Sequence, residues 1–263
     1  MAEQLQLPGA ATPSRAPDPS LHSLSVSSIV QLSRCPQQFY WTVIDPLPRR
    51  ARAAARLGHD IHRWIELRSV GQYRLDEPEA LAKAPSQEDR DPGQKGPTAA
   101  LMQELKASWH ASRFSEMIPR FTEQPFVLAL PGGLSVGGRI DAVYVHEDGS
   151  WELVDYKTGR EPEDADPFAW LQLAVYSLAA QEIWKVDPRA LKLTYFYLAT
   201  GRAEPISATE LTTTIDDLSA MFRRVQSGRF EPRPGTICPP CDFLQFCDAG
   251  KKHLAGGLGL PVQ

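Results

Sequence analysis

The chain has 263 residues, 42% of them hydrophobic, with a formal net charge of −4. This is enough apolar material for one large domain or two small ones, and the acidic balance disfavours a protein coated in nucleic acid, although a local basic groove is compatible with it. No run of about 18 apolar residues occurs, so we expect no membrane partner and a cytoplasmic location. Residues 1–22 lack the basic start and apolar core of a signal peptide and are predicted to form a disordered leader.

The first predicted elements are helices. Ser25 or Ser27 is suited to cap an amphipathic helix that ends near Cys35. The basic stretch 49–68 predicts a long helix. Residues 71–98 are rich in Asp, Glu, Pro, Gly and Lys without any periodicity, which predicts a flexible insertion.

A group of strands is predicted in the middle of the chain. After a predicted helix over 99–118, strand patterns occupy 125–130, 134–146 and 150–157. The sequence Glu-Asp-Gly separates the last two strands and indicates a tight hairpin turn.

The remaining elements alternate between helix and strand. A helix is predicted from Asp166, its expected cap, with Pro167 in its first turn. A strand over 191–198 follows, then a helix that ends at Gly228, a cysteine- and proline-rich segment, and a tail over 249–263. This order predicts an α/β fold with a central mixed β-sheet flanked by helices.

The last strand of the hairpin has a charged end. Side chains alternate along a strand, so Asp155 and Lys157 point the same way, and the hairpin brings Asp141 beside them. Two carboxylates this close repel each other unless a cation lies between them, and oxygen ligands suit Mg²⁺ or Mn²⁺. With a lysine to neutralise charge on a phosphate, the arrangement fits metal-assisted phosphodiester hydrolysis. Taken alone, an Asp-x-Lys pair is more often a surface ion pair.

Two helices offer further candidates. His59, His62 and Glu66 share one face of the basic helix, but a single helical histidine is more often a packing or surface residue than a metal ligand. Gln172 and Tyr176 lie four residues apart on a later helix, where they are suited either to hydrogen bonding at a site or to helix packing.

The four cysteines indicate a metal rather than disulfides in a cytoplasmic chain. Three of them form a C-x₂-C-x₅-C pattern at Cys238, Cys241 and Cys247, and Cys35 lies about 200 residues upstream. A four-cysteine zinc site is the common solution, and a [4Fe–4S] cluster also takes four thiolates. The spacing itself does not distinguish them.

Two surface patterns have two interpretations each. The arginines around the basic helix fit either a solvated helix face or a groove that follows a phosphate backbone. They are Arg49, Arg50, Arg52, Arg56, Arg63 and Arg68. Phe39, Tyr40 and Trp41 beside Cys35 are suited to stack on unpaired bases, but we favour a core position for them.

Six stretches, in order along residues 23–248, resemble the PD-(D/E)xK nuclease superfamily and, within it, the RecB-like nucleases. They are LSVSSIVQLSRCPQQFYW, LGHDIHRWIE, GRIDAV, VDYKTG, QLAVYSLA and CPPCDFLQFC. Ile140 rather than proline precedes the first aspartate, as is usual in the RecB-like branch.

The resemblance implies a fold, a metal centre and a cluster. The fold would be a restriction-endonuclease-like core over residues 23–248, with an iron–sulfur clasp, from the cysteine segment 235–248, that joins the N- and C-terminal segments. It implies Mg²⁺ or Mn²⁺ held by His62, Asp141, Asp155 and the backbone carbonyl of Tyr156, a catalytic Lys157, and an active site lined by Gln172 and Tyr176. For Cys35, Cys238, Cys241 and Cys247 it favours [4Fe–4S] over zinc, because iron–sulfur members take their first cysteine from the N-terminal helix.

The function implied by the resemblance is that of a metal-dependent DNA nuclease, an exonuclease on single-stranded or end-containing DNA in repair or recombination. No G-x-x-x-x-G-K-[ST] phosphate loop occurs, so any unwinding would come from a partner such as a helicase or another repair protein. Two alternatives stay open: a CRISPR-adaptation nuclease that trims integration precursors, and a non-catalytic iron–sulfur subunit that binds DNA.

Overall fold

The computed structural model describes residues 21–49, 53–69, 97–161 and 168–257. The chain divides into two compact units. The first comprises residues 1–51, 128–137 and 213–263, and the second comprises residues 52–127 and 138–212. Within the described ranges, no helix combines the length and the apolar character needed to cross a bilayer.

The described elements are seven α-helices and six β-strands. The helices are α1 (Val26–Arg34), α2 (Pro36–Phe39), α3 (Ala53–Ser69), α4 (Pro97–His110), α5 (Leu171–Trp184), α6 (Ile215–Gln226) and α7 (Asp248–Gly257). The strands are β1 (Ser23–Ser25), β2 (Phe121–Leu130), β3 (Leu134–Val145), β4 (Trp151–Lys157), β5 (Leu191–Tyr197) and β6 (Arg202–Ser207).

The strands form one mixed sheet, as the sequence predicts. Strand β4 pairs antiparallel with β3 and parallel with β5, while β6 pairs antiparallel with β5. Strand β2 pairs with β3, and β1 pairs in parallel with the first residues of β3. Strand β4 has a neighbouring strand on each side, which holds its charged end firmly, and its apolar residues are buried because helices cover both faces of the sheet.

The second unit has a continuous apolar core on one face of this sheet. Ile61 and Ile65 of α3 and Trp109 of α4 pack with Val154 and Tyr156 of β4. Burying a side chain of this size contributes about 1.5–3 kcal/mol. Since side chains alternate along β4, Asp155 and Lys157 lie on the other face, where α5 packs. The α/β architecture with helices on both faces of a mixed sheet is therefore confirmed.

The first unit begins with the helix that the sequence predicts. Ser25 is its cap, and the Ser25 hydroxyl accepts a hydrogen bond from the Ser28 N–H at 3.1 Å. The helix ends before Cys35, because Pro36 starts the next helix. The aromatic residues that follow Cys35 lie in the core, as we favoured. Phe39 stacks on Phe230 with ring centroids 6.0 Å apart, and Trp41 packs on Phe243 at 5.8 Å.

Several element boundaries differ from the predictions. The predicted helix over 99–118 ends at His110, and a single 3₁₀ turn, Arg113–Ser115, follows it. The strand predicted from residue 125 begins at Phe121, and the predicted tail contains α7. Strands β1 and β6 were not predicted.

Some predictions fall on residues outside the described ranges. Helix α5 begins at Leu171, and its predicted cap, Asp166, and Pro167 lie outside the described residues. The same holds for residues 1–20 of the predicted leader, for residues 71–96 of the predicted insertion, and for Arg50 and Arg52.

Candidate metal centre

The β3–β4 hairpin brings the two predicted aspartates together. Its last paired residues toward the open end are Ala142 and Val154, and Asp141 and Asp155 come next on their strands. Beyond this pair the two strands are joined through the Asp141 side chain, whose Oδ2 accepts a hydrogen bond from the Tyr156 N–H at 2.8 Å. The convergence predicted from the hairpin turn is confirmed.

Asp155 and Lys157 belong to one hydrogen-bonded network on the α5 side of the sheet. The Lys157 Nζ lies 2.7 Å from Asp155 Oδ2 and donates to Gln172 Oε1 at 2.7 Å. The Gln172 amide donates in turn to Asp155 Oδ1 at 2.6 Å and to the Tyr176 hydroxyl at 2.8 Å. Tyr176 donates to the backbone carbonyl of Arg139 at 2.8 Å. Gln172 therefore fixes both charged groups, and α5 contributes its predicted pair to the site.

His62 of α3 reaches the same end of the hairpin. The His62 Nδ1 lies 3.3 Å from Asp141 Oδ1 and 3.8 Å from Glu123 Oε1. These three residues offer ligand atoms that all lie within 4.8 Å of one another. His62 therefore lies beside the carboxylates, whereas His59 is exposed on the same helix.

Glu123 of β2 is the site residue that the sequence analysis missed. Its side chain is 12% exposed and forms an ion pair with Arg139. Its backbone has a φ of 46°, in the left-handed region, where a non-glycine residue stores strain of about 1–3 kcal/mol. No motif marks a single glutamate near the start of a strand. Its place in the site depends on how β2 pairs with β3, which the sequence does not reveal.

The pKa values show the cost of grouping these carboxylates without a cation. Burial raises the pKa of Asp155, and the nearby Lys157 partly opposes this effect. Burial and the charge of Asp141 also raise the pKa of Glu123. Burial lowers the pKa of His62, but hydrogen bonding to Asp141 and the surrounding carboxylates outweigh it and raise that pKa to about 9. The site is an anionic pocket that favours positive charge.

The donor set fits a hard divalent cation. Two carboxylates and one imidazole supply oxygen and nitrogen ligands, which suit Mn²⁺ well and Mg²⁺ when water completes the coordination. His62, Asp141 and Glu123 are already within coordinating reach of one ion. Asp155, which the sequence analysis placed in the ligand set, is not part of that group and is bonded to Lys157 and Gln172.

The four cysteines line a single cavity of the first unit, and none of them forms a disulfide. In the part of the chain that the structure describes, no three of their sulfur atoms lie within 4.8 Å of one another. Backbone N–H groups donate to three of the sulfurs. These bonds join Arg233 to Cys35 at 3.5 Å, Gly235 to Cys238 at 3.3 Å and Gly250 to Cys247 at 3.3 Å.

Comparison with known proteins agrees with this geometry. The family model described as the PD-(D/E)XK nuclease superfamily matches residues 23–248, which is most of the chain. The match covers His62, the β3–β4 hairpin, α5 and all four cysteines.

Individual relatives are more distant. The Gene 69 protein of Mycobacterium phage D29 is 27% identical over 267 residues, which cover 86% of this chain and 97% of the phage protein. A solved structure from Eubacterium rectale, provisionally described as an exonuclease, aligns with a TM-score of 0.55 at 16% identity, over 88% of each chain. At that identity the likeness shows the fold alone.

Proposed function

Because the chain belongs to the PD-(D/E)XK nuclease superfamily, we propose that it is a Mg²⁺- or Mn²⁺-dependent DNA nuclease of the RecB-like group. Its proposed activity is that of an exonuclease on single-stranded DNA or on DNA with free ends. The observation that carries the proposal is the convergence of Asp141, Asp155, Lys157 and His62 at one end of the hairpin.

In this proposal His62, Asp141 and Glu123 hold the cation, with Asp155 and the backbone carbonyl of Tyr156 as further oxygen ligands. When bound, the cation would supply Lewis-acid polarisation of the scissile phosphate and would lower the pKa of a water ligand. The raised pKa values of Glu123 and Asp155 support this role, because burial and, to a smaller extent, the charge of Asp141 disfavour their ionised forms, which a bound cation would stabilise.

Lys157 is the proposed catalytic lysine. Its ammonium group would stabilise the negative charge that develops on the phosphate in the transition state. The hydrogen bond from Lys157 to Gln172 restricts the flexible side chain to one position, and the bonds of Gln172 to Asp155 and Tyr176 restrict Gln172. Gln172 and Tyr176 are therefore proposed as positioning residues.

A [4Fe–4S] cluster is proposed for the four cysteines, as a clasp between the N- and C-terminal segments. In a tetrahedral zinc site with Zn–S bonds of 2.3 Å, the sulfurs are about 3.8 Å apart. In a cluster each thiolate binds a different iron atom, so wider spacing is required, and no three of the cysteine sulfurs that the structure describes lie within 4.8 Å of one another. The N–H donors to three sulfurs and the small Gly250, where an added Cβ would lie 3.4 Å from Cys247 Sγ, also fit a cluster.

The proposed role is in DNA repair or recombination, with a helicase or another repair protein supplying unwound strands. The provisional description of the Eubacterium rectale protein agrees with exonuclease activity. A covalently closed single-stranded circle and its linear form separate the two modes of cleavage. An exonuclease degrades the linear strand and leaves the circle intact, whereas equal degradation of both would overturn the exonuclease assignment and retain the nuclease.

A further inference from the structure

A cleft in the first unit concentrates arginines. It has a volume of about 340 Å³ and is lined by residues at and after the end of α6, among them Arg224, Ser227, Arg229, Glu231 and Arg233. Three guanidinium groups against one carboxylate leave a local excess of two positive charges in a chain whose net charge is −4. We call these five residues the arginine cleft.

Helix termination does not account for this charge. A basic residue in the last turn of a helix offsets the negative end of the helix dipole, and Arg223 and Arg224 of α6 serve that purpose. Arg229 and Arg233 lie beyond the helix, where the effect has faded. Neither Arg224 nor Arg229 forms an ion pair with any residue that the structure describes.

The cleft shares its wall with the cysteine cavity. Arg233 donates its backbone N–H to Cys35 Sγ and its guanidinium to the carbonyl of Ser33, so the segment after α6 is fixed against the end of α1. Pro232 and Arg233 line both cavities. A group bound at the cysteines would therefore help to fix Arg233, the one cleft arginine that also lines the cysteine cavity.

We propose that the arginine cleft binds backbone phosphates of a single DNA strand. This inference rests on the proposed function and extends it by naming a binding surface formed by residues other than the metal-binding ones. The planar guanidinium fork matches two phosphate oxygens at once, and binding without base contacts is what a nuclease of low sequence preference requires. A single strand is the proposed ligand because single-stranded DNA is one of the two substrates of the proposed exonuclease and carries the phosphates that the arginines complement.

The test compares the salt dependence of DNA binding in two double variants of the full chain. Arg224→Gln with Arg229→Gln removes two cleft charges. Arg223→Gln with Lys252→Gln removes two exposed charges of the same unit that do not line the cleft. Fluorescence anisotropy of a labelled single strand, without added divalent metal, gives the dissociation constant from 50 to 300 mM salt.

Each phosphate contact on a single strand contributes about 0.7 to the slope of log affinity against log salt, so losing two lowers the slope by about 1.4. If the wild type and the cleft variant bind equally at 1 M salt, this difference in slope makes binding by the cleft variant about 25-fold weaker at 0.1 M salt. We expect this loss for the cleft variant and a change of less than about threefold for the control. The proposal that the arginine cleft binds DNA is refuted if the wild type and the cleft variant have equal salt slopes. It is also refuted if the cleft variant and the control variant lose equal affinity.

A measurement on the wild type keeps the test valid if the cleft variant does not fold. Phenylglyoxal modifies accessible arginines, and mass spectrometry should show that a single strand protects Arg224 and Arg229 but not Arg223. If the single strand leaves the modification rates of all three arginines unchanged, the proposal that the arginine cleft binds DNA is refuted. A wild-type protein that cleaves DNA while its cleft stays unprotected refutes only this inference. A wild type that neither binds nor cleaves DNA refutes the proposed function as well.

Discussion

The proposed role of His62 as a metal ligand predicts that metal binding depends on pH. The pKa of His62 is raised to about 9, because hydrogen bonding to Asp141 and nearby carboxylates outweigh the lowering by burial. At pH 7 the metal-free imidazole is therefore protonated. A cation binds only the neutral ring, so it must displace that proton. Below the pKa, the apparent metal affinity should rise tenfold for each pH unit.

The magnitude follows directly. With a pKa of about 9 for His62, the affinity for Mn²⁺ should rise about 25-fold from pH 7.0 to 8.5, which is about 2 kcal/mol. Both pH values lie below the pKa of His62 and above the raised pKa of Asp155, about 6, so protonation of the histidine dominates in this window. Electron paramagnetic resonance of free Mn²⁺, recorded without oxygen, measures the affinity.

Two variants on α3 locate the effect. His62→Gln removes the imidazole ligand, so its Mn²⁺ affinity at pH 8.5 should be weaker than that of the wild type. It also removes the competing proton, so its affinity should change less than about threefold over the same interval. His59 lies one turn away from His62 and is exposed, so His59→Gln should keep the wild-type dependence of Mn²⁺ affinity on pH. A flat wild-type profile, or a slope that survives in His62→Gln, would refute the assignment of His62 as a ligand.

Three other predictions concern the positioning network, the cysteines and the sheet. Gln172→Leu removes the hydrogen bond that holds Lys157, so single-turnover cleavage at saturating DNA should slow by about 10–100-fold with unchanged DNA affinity. An unchanged rate would contradict the proposal that Gln172 positions Lys157. Cys238→Ser should abolish visible iron–sulfur absorption and lower the melting temperature, whereas a colourless wild type purified without oxygen would exclude the cluster. Glu152 is fully buried and pairs with Arg113, which is about half exposed, so Glu152→Gln should destabilise the protein by about 2 kcal/mol in urea unfolding. Burial raises the pKa of Glu152, but Arg113 outweighs burial and holds that pKa below its usual value. The stabilisation by Glu152 therefore exists above about pH 4.5 and disappears as the pH falls further. If the loss of stability in Glu152→Gln is the same in acid as at neutral pH, this explanation is contradicted.

The sequence predicts the site well where local rules decide the structure. The Glu-Asp-Gly turn specifies the hairpin, and the period of two along β4 then fixes Asp155 and Lys157 on one face. Gly149 adopts a φ of 83°, which only this kind of turn residue tolerates easily, so the turn has a readable signal. The four-residue spacing of Gln172 and Tyr176 likewise predicts that they act together.

The residues that sequence reasoning misses depend on pairing between distant segments. Glu123 enters the site because β2 pairs with β3, and a strained backbone directs its side chain there. Strand β6 escaped prediction because it is short and polar and contains Pro205, which an edge strand accommodates but which weakens the strand pattern. Tertiary contacts decide both features, and no local pattern records them.

The cysteines also show the difference between what spacing in the sequence predicts and what only the fold determines. The C-x₂-C-x₅-C spacing of Cys238, Cys241 and Cys247 predicts metal binding, but it does not identify the metal. That Cys35 lines the same cavity is a property of the fold, because about 200 residues separate it from the other three. Spacing in the chain does not determine the distances between the four sulfurs, and these distances separate zinc from a cluster.

Hydrolysis of an end-labelled single strand tests the central claim most directly. The wild type, in Mg²⁺ or Mn²⁺, should release labelled products, and chelation of the metal should stop the reaction. Asp155→Ala should be at least 100-fold slower with the same metals, because it removes the carboxylate that anchors Lys157 and Gln172. If the wild type and Asp155→Ala are equally inert, or equally active, across both metals, the claim of a metal-dependent nuclease at this site is contradicted.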